Sequence, residues 1–340
     1  MAYFILSCDG GGIRGLITAL LLQDLEKDFA ILERVKLFAG TSTGGILALA
    51  LASGLRIDAI VNIYQNDGSQ IFTPFHLGEF DALLERLKLA PRPPAGDPQM
   101  HNIIEEVWKN LDSLFYVRYN NTGLASVLKS LLPNRPLREL RNVTVTTFQL
   151  ESPEGWKPIT INNVIENQGG DTLPIDAALS TGAAPTYFPP YKHPQYGYCV
   201  DGGVFANNPS SLALALALQA GVPLSEIVML SLGTGFAIQK MEIVLPPTFY
   251  GPLLWLLPIA LPSMPATPLI EVLLSGVGPA DSFQCQQILH DNFMRADVPL
   301  PAFISMDDYH AVDQLQSAAE SYIRNNKAWQ QVRAWVGKLR

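Results

Sequence analysis

Charge is scarce in this chain of 340 residues: 16% are Asp, Glu, Lys or Arg, against 48% hydrophobic. The balance is acidic, with 31 Asp and Glu to 23 Lys and Arg and a formal net charge of −8. No run of Lys and Arg occurs, which excludes the electrostatic footprint of a nucleic-acid binder and of polybasic attachment to anionic lipid. Any membrane contact has to be apolar. Cysteine is nearly missing: Cys8, Cys199 and Cys285 are far apart, and there is no C-x-x-C. That argues against a disulfide framework and a zinc site. Cys8 and Cys199 lie in apolar strand contexts and read as small core residues. A basic leader is also missing. Met1-Ala2-Tyr3-Phe4-Ile5-Leu6 runs straight into a glycine motif and predicts a first strand, in a cytosolic protein.

A continuous spanning helix is excluded too. The 28 residues from Ile243 to Ile270 carry no charge, but Pro246, Pro247, Pro252, Pro258, Pro262, Pro265 and Pro268 interrupt them. Two readings remain. One is an apolar loop packed over the core. The other is a flap that presents Phe249, Tyr250, Trp255 and Leu256 to a membrane surface.

What the chain does have is a serine between a strand and a helix. Val35-Lys36-Leu37-Phe38-Ala39 reads as a buried strand, and Ile46-Leu47-Ala48-Leu49-Ala50-Leu51-Ala52 as a buried helix. Between them Gly40-Thr41-Ser42-Thr43-Gly44-Gly45 contains G-x-S-x-G. In this context the pentapeptide predicts a nucleophile elbow with Ser42 exposed at the top of a sheet. The helix start behind it favours developing negative charge. The competing reading is a glycine-rich turn with an incidental serine.

A strand over about 2–8 opens onto Asp9-Gly10-Gly11-Gly12-Ile13-Arg14-Gly15, and a helix follows over about 16–29. Gly10-x-Gly12-x-x-Gly15 formally matches the dinucleotide fingerprint, the basis of a nucleotide-binding alternative. That fingerprint needs an acid at the end of strand two, where this chain has the serine elbow, so it fails its own test. The loop suits an oxyanion hole instead: the amides of Gly10, Gly11 and Gly12 turn toward a carbonyl attacked by Ser42. Arg14 either holds this loop, meets a phosphate headgroup, or is an exposed helix-start arginine.

Further strands are expected at 142–150, 158–162, up to Val200, and at 227–232, with helices at 174–182 and 207–220. Helical patterns at 59–66, 79–89 and 103–111 form an elaboration over about 56–122, with a proline-rich loop at 91–98. A helix is expected at 123–132, and an amphipathic surface helix or two at 314–336. The whole reads as one domain, 1–340: a motif core over 1–235, the flap at 243–270 and a helical C-terminal segment over about 281–340.

A nucleophilic serine needs a base. None of His76, His101, His193, His290 and His310 stands in a glycine-bounded, strand-end setting, although the order Ser…Asp…His leaves His290 and His310 open. Asp201 ends a strand and precedes Gly202-Gly203. It is either a common turn aspartate or a partner for Ser42, and burial would raise its pKa enough to serve as a base.

Asp9-Gly-Gly-Gly-Ile-Arg-Gly15, Gly40-Thr-Ser-Thr-Gly44 and Asp201-Gly-Gly203, in that order, resemble the patatin-like phospholipase family. Ala183-Ala-Pro-Thr-Tyr-Phe-Pro189 and Ser231-Leu-Gly-Thr-Gly235 resemble further stretches of it. The resemblance covers about residues 3–235, and the C-terminal hundred more weakly. It implies a three-layer α/β/α sandwich around a mainly parallel sheet, and a Ser42–Asp201 dyad without histidine. It also implies an oxyanion hole at Gly10, Gly11 and Gly12, joined by the amide of Thr43, with no metal or cofactor. The implied substrates are membrane phospholipids or galactolipids cleaved at acyl esters, by a cytoplasmic protein peripheral at the membrane during turnover. Acyl transfer at the same site and a cyclic-nucleotide-activated antiphage phospholipase are alternatives within this resemblance, and homo-oligomerisation is left open.

Overall fold

The computed structural model describes residues 2–74, 117–238 and 268–339. The helices expected at 79–89 and 103–111, and most of the apolar segment with Trp255 and Leu256, lie outside the described residues.

Eight strands of the described residues form one sheet. They are β1 (Tyr3–Cys8), β2 (Val35–Thr41), β3 (Val143–Gln149), β4 (Lys157–Asn162), β5 (Tyr191–His193), β6 (Gly197–Asp201), β7 (Ile227–Leu232) and β8 (Phe293–Ala296). Their order is β5-β6-β3-β2-β1-β7-β8, with β4 set against β3. β3, β2, β1, β7 and β8 run parallel, while β4 and β6 join β3 antiparallel. β1, β2 and β7 are largely apolar runs because helices cover both their faces, while β3 buries three threonines instead. Phe4, Leu6 and Cys8 of β1 enter one core, and Ile5 enters the other. The result is the expected three-layer α/β/α arrangement around a mostly parallel sheet.

The first layer holds α1 (Gly15–Phe29), α3 (Thr43–Ala52), α4 (Ile57–Asn66), α6 (Asn121–Leu131) and α7 (Pro174–Thr181). The Leu and Ala run of α3 is apolar all round because it is sealed all round. Leu47, Leu49 and Leu51 are almost fully buried, each stabilising the fold by about 1.5–3 kcal/mol. The short helices α2 (Ile31–Arg34) and α5 (Gly68–Ile71) join these elements. On the other face, α9 (Ser210–Gln219) follows the single turn α8 (Gly203–Ala206), and α10 (Pro268–Leu289) adds Cys285 and Leu289 to the second core.

The C-terminal pattern resolves into two helices, α11 (Val312–Asn325) and α12 (Lys327–Lys338), broken at Asn326, whose side chain caps α12 through the Ala328 amide. They bury Leu315, Ala319, Trp329 and Val336 on the first layer. Two features there were not legible as sequence. α10 is helical from its first described residue, Pro268, which the sequence assigns to the apolar segment. β8 lies inside a segment expected to be helical. Its four residues are too few for a period to show, and its pairing with β7 is a tertiary event. Among the described residues no helix is long and apolar enough to cross a membrane.

Candidate active site

β1 and β2 pair in parallel with Cys8 level with Gly40. The loop after β1 and the turn after β2 therefore leave the same edge of the sheet, side by side. Ser42 sits in that turn with φ 54° and ψ −124°, a strained backbone for a non-glycine residue. Surrounding structure holds it there. The Ser42 amide donates to the Thr181 hydroxyl at 2.9 Å, and Gly44 lets the turn close, since a Cβ there would stand 2.2 Å from the Cys8 carbonyl oxygen. The elbow geometry read from the pentapeptide is present.

Asp201 reaches this serine from the other direction. β3 lies between them. Thr41 of β2 is level with Thr146, so Ser42 comes level with Thr147, and Thr147 faces Asp201 on antiparallel β6. Asp201 ends strand β6, as its Asp-Gly-Gly setting suggested, and the antiparallel direction of that strand is what brings the carboxylate here. The Ser42 side chain lies close enough to Asp201 to lower its carboxyl pKa, and Asp201 Oδ1 accepts the Gly203 amide at 2.7 Å. Asp201 is 5% exposed. Burial pushes its carboxyl up to about 7, against the opposite pull of the Ser42 side chain and the Gly203 amide.

No histidine among the described residues lines either cavity at Ser42. His290 and His310 are exposed. His193 is buried on β5, where its Nδ1 accepts the amides of Gln195 and Tyr196, and burial lowers its pKa to about 4. His76 and His101 lie outside the described residues.

The first glycine loop faces the elbow, since a Cβ on Gly10 would stand 3.2 Å from that of Ser42. One expectation narrows. The Gly10 amide is committed to the Asn207 carbonyl at 2.9 Å, whereas the amides of Gly11 and Gly12 find no acceptor among the described residues. Gly12 has φ +59° and lies against the Met306 carbonyl, so only glycine fits. The Thr43 amide opens α3, where the first helical amides lack internal partners. Gly11, Gly12 and Thr43 are thus the amides free to meet an oxyanion. Arg14 holds the loop through Nε to the Gly11 carbonyl at 3.4 Å and lies over the Phe303 ring.

Two spaces meet at Ser42. One is an apolar slot of about 80 Å³ between α3, α4 and α6, lined by Ile46, Ala50, Tyr64, Leu124, Leu128 and Phe188. The other is a wider cleft of about 690 Å³ of mixed character, where Asp9, Arg14, Asp201, Asn207 and Arg295 stand among apolar Val204, Phe236, Phe303 and Met306. Ser42 borders both.

The model of the Patatin-like phospholipase family matches residues 6–214. The chain belongs to this family. A cGAMP-activated phospholipase of Vibrio cholerae is 31% identical over 224 residues, covering 62% of this chain and 56% of that protein. Patatin-like protein 2 of Arabidopsis thaliana is 31% identical over 230 residues, covering 62% and 51%. The chain therefore spans about half the length of these two relatives. Protein teg of Priestia megaterium is 26% identical over 329 residues, with 90% of both chains covered.

Several residues of this patatin-like site escaped sequence reading. Thr234 donates to the Gly10 carbonyl at 2.9 Å. The Met306 carbonyl accepts the Ile13 amide at 2.8 Å. Arg295 of β8 grips Asp9 with both arms, Nη1 to Oδ1 at 2.9 Å and Nη2 to Oδ2 at 2.6 Å. Burial raises the Asp9 carboxyl to about 6 even with Arg295 pulling it down. Burial opposes the Arg295 charge as well, but Asp9 and Asp297 more than offset it, so the guanidinium stays ionised. The available signal was an Arg and an Asp two apart, Arg295 within a short apolar stretch and Asp297 just after it.

Proposed function

We propose that this chain is a lipid acyl hydrolase with Ser42 as nucleophile and Asp201 as its base. The observation that carries this reading is the position of Ser42 where a narrow apolar slot and a wider cleft that bears charged side chains meet. An ester of a long acyl chain with a polar headgroup has that same division. Its acyl chain would enter the slot and its headgroup the cleft, leaving the ester carbonyl over Ser42. Ser42 Oγ attacks the carbonyl carbon while Asp201 takes the hydroxyl proton. The amides of Gly11, Gly12 and Thr43 hold the tetrahedral oxyanion. Collapse breaks the bond to the leaving alkoxide, which takes the proton from Asp201 and departs as the lyso-product. Water, deprotonated by Asp201, then attacks the acyl-enzyme; the bond to Ser42 Oγ breaks, Oγ takes the proton back from Asp201, and the fatty acid leaves.

Family membership and relatives named as phospholipases support the substrate class. The test is fatty-acid release from phospholipid and galactolipid vesicles by the purified protein, with its Ser42→Ala variant as control. Acyl appearing on an added lysolipid or alcohol, in preference to free fatty acid, would replace hydrolysis by acyl transfer. The name of the Vibrio relative motivates one further arm, the same assay with and without cGAMP.

Slot and headgroup cleft separate in a chain-length series. Ile46, one turn after Ser42, lines the slot. We expect Ile46→Trp to lower kcat/KM on dodecanoyl esters by about tenfold or more and to spare butanoyl esters, because several methylenes lose their burial. Equal loss on both would remove the slot from substrate binding.

At the membrane, the apolar segment would supply the contact that the acidic surface does not. Replacing Trp255 and Leu256 with Ser should weaken sedimentation with liposomes more than hydrolysis of a soluble butanoyl ester. Equal loss on both would make the segment part of the core.

A further inference from the structure

The first glycine loop is held from a part of the chain that the family match, residues 6–214, does not reach. β1, β7 and β8 stand side by side with Ser7, Ser231 and Arg295 in register. Asp9 follows Ser7 by two residues. The guanidinium lies across this row. Besides its two bonds to Asp9, Nη1 donates to the Ser231 hydroxyl at 2.8 Å and Nη2 to Asp297 at 3.0 Å. Asp297 in turn accepts the Gly235 amide at 2.8 Å. Asp9 is 4% exposed, so its carboxylate has no water shell to turn in.

We propose that Arg295 is a positioning residue for the oxyanion hole: its fork fixes the plane of the Asp9 carboxylate, and with it the path of Gly10-Gly11-Gly12. This rests on the catalytic reading above. Asp9 is the last residue before the loop, and rotation about its backbone would swing the Gly11 and Gly12 amides away from the carbonyl over Ser42. The Met306 carbonyl pins the loop's far end through Ile13. The loop is thus held at both ends by residues beyond the matched part of the chain. A bidentate fork fixes orientation as well as distance, which a lysine ammonium at the same place does not. Preorganised amides are worth most when they need not move as charge develops, and a displacement of about 1 Å costs on the order of a hundredfold.

Wild-type turnover of a soluble butanoyl ester and its labelling by a fluorophosphonate come first; their absence would overturn the hydrolase reading and is distinct from any result on Arg295. Arg295→Lys keeps the buried charge and loses the fork. We expect it to lower kcat about 10- to 100-fold, with KM changed less than about threefold. It should weaken inhibition by an alkyl trifluoromethyl ketone by a similar factor, because that hemiketal places an oxyanion in the hole. Arg295→Met should do the same where it folds. If it leaves Asp9 uncompensated and fails to fold, the lysine variant alone decides. Wild-type kcat and ketone inhibition in Arg295→Lys would overturn the proposal. So would a loss of kcat in that variant, monitored as folded by circular dichroism, without any weakening of the ketone.

Discussion

Ser42→Ala is expected to lower ester hydrolysis by about 10⁴- to 10⁶-fold and to abolish labelling by a fluorophosphonate probe, while the fold survives. The nucleophile cannot be replaced locally. The turn is organised around one residue, whose amide is held by the Thr181 hydroxyl and whose side chain lies beside the Asp201 carboxyl. Alanine has the same backbone preferences as serine here, so the strain at φ 54° is unchanged. What the variant loses in stability is the interaction of one hydroxyl with a buried carboxyl. That should move the melting temperature by only a few degrees at neutral pH, on the order of 1–2 kcal/mol. Intact-mass labelling and a thermal melt of the same sample make the measurement. Labelling that persists at another serine would remove Ser42 as nucleophile.

Asp201→Asn is expected to cost about 10²- to 10⁴-fold in kcat. The double variant with Ser42→Ala should be hardly worse than either single one, because the two groups act as a unit. Exposed His290 and His310 are the controls: Gln at either should leave kcat within about threefold, as for other surface changes. A fall at a histidine as deep as that of Asp201→Asn would replace the dyad by a triad. The pH dependence follows from the same burial. Asp201 accepts a proton only when ionised, so wild-type kcat/KM should fall as pH drops below about 7, the value to which burial lifts this carboxyl.

Stability runs the opposite way. A carboxyl raised on folding binds its proton more tightly in the native state than in the unfolded one. Its contribution is fully present below the unfolded value of 3.8 and is lost as pH rises through about 7. The asparagine variant escapes that loss. It should therefore melt above wild type at pH 8, and the advantage should shrink toward pH 4. An Asp201→Asn protein less stable than wild type at pH 8 would mean that the ionised carboxylate is net stabilising and that its pKa is not raised.

Much of this site could be read without coordinates because the constraints are local. An elbow at Gly40–Gly44 needs glycines on either side of Ser42 and a strand and helix around it, and all of these lie within twenty residues of sequence. The glycine loop after β1 is legible for the same reason, as is α3, whose Leu and Ala run is buried, whereas α9, expected to be buried on the same composition, leaves Ala215 and Leu218 exposed. Strand β7 matched its expected bounds, 227–232, because a fully sealed parallel strand has few polar residues to blur its ends. Arg295 was not legible. It lies 286 residues from Asp9, and nothing in a four-residue strand announces its partner.

By itself, then, the sequence determined an α/β chain with a serine presented between strand and helix, a loop able to bare backbone amides, and an Asp at a strand end. Each follows from backbone sterics or hydrophobic period over a short span. Only the tertiary structure decided which amides are free, because the Gly10 amide is claimed by the carbonyl of Asn207, nearly two hundred residues away. It decided that Asp201 arrives on an antiparallel strand, since strand direction depends on which partner a strand finds and not on its own residues. And it decided that β8 closes the sheet beside β7 and brings Arg295 to Asp9. Pairings across such distances are set by register and by the shared burial of two faces of one sheet, and no local pattern encodes either.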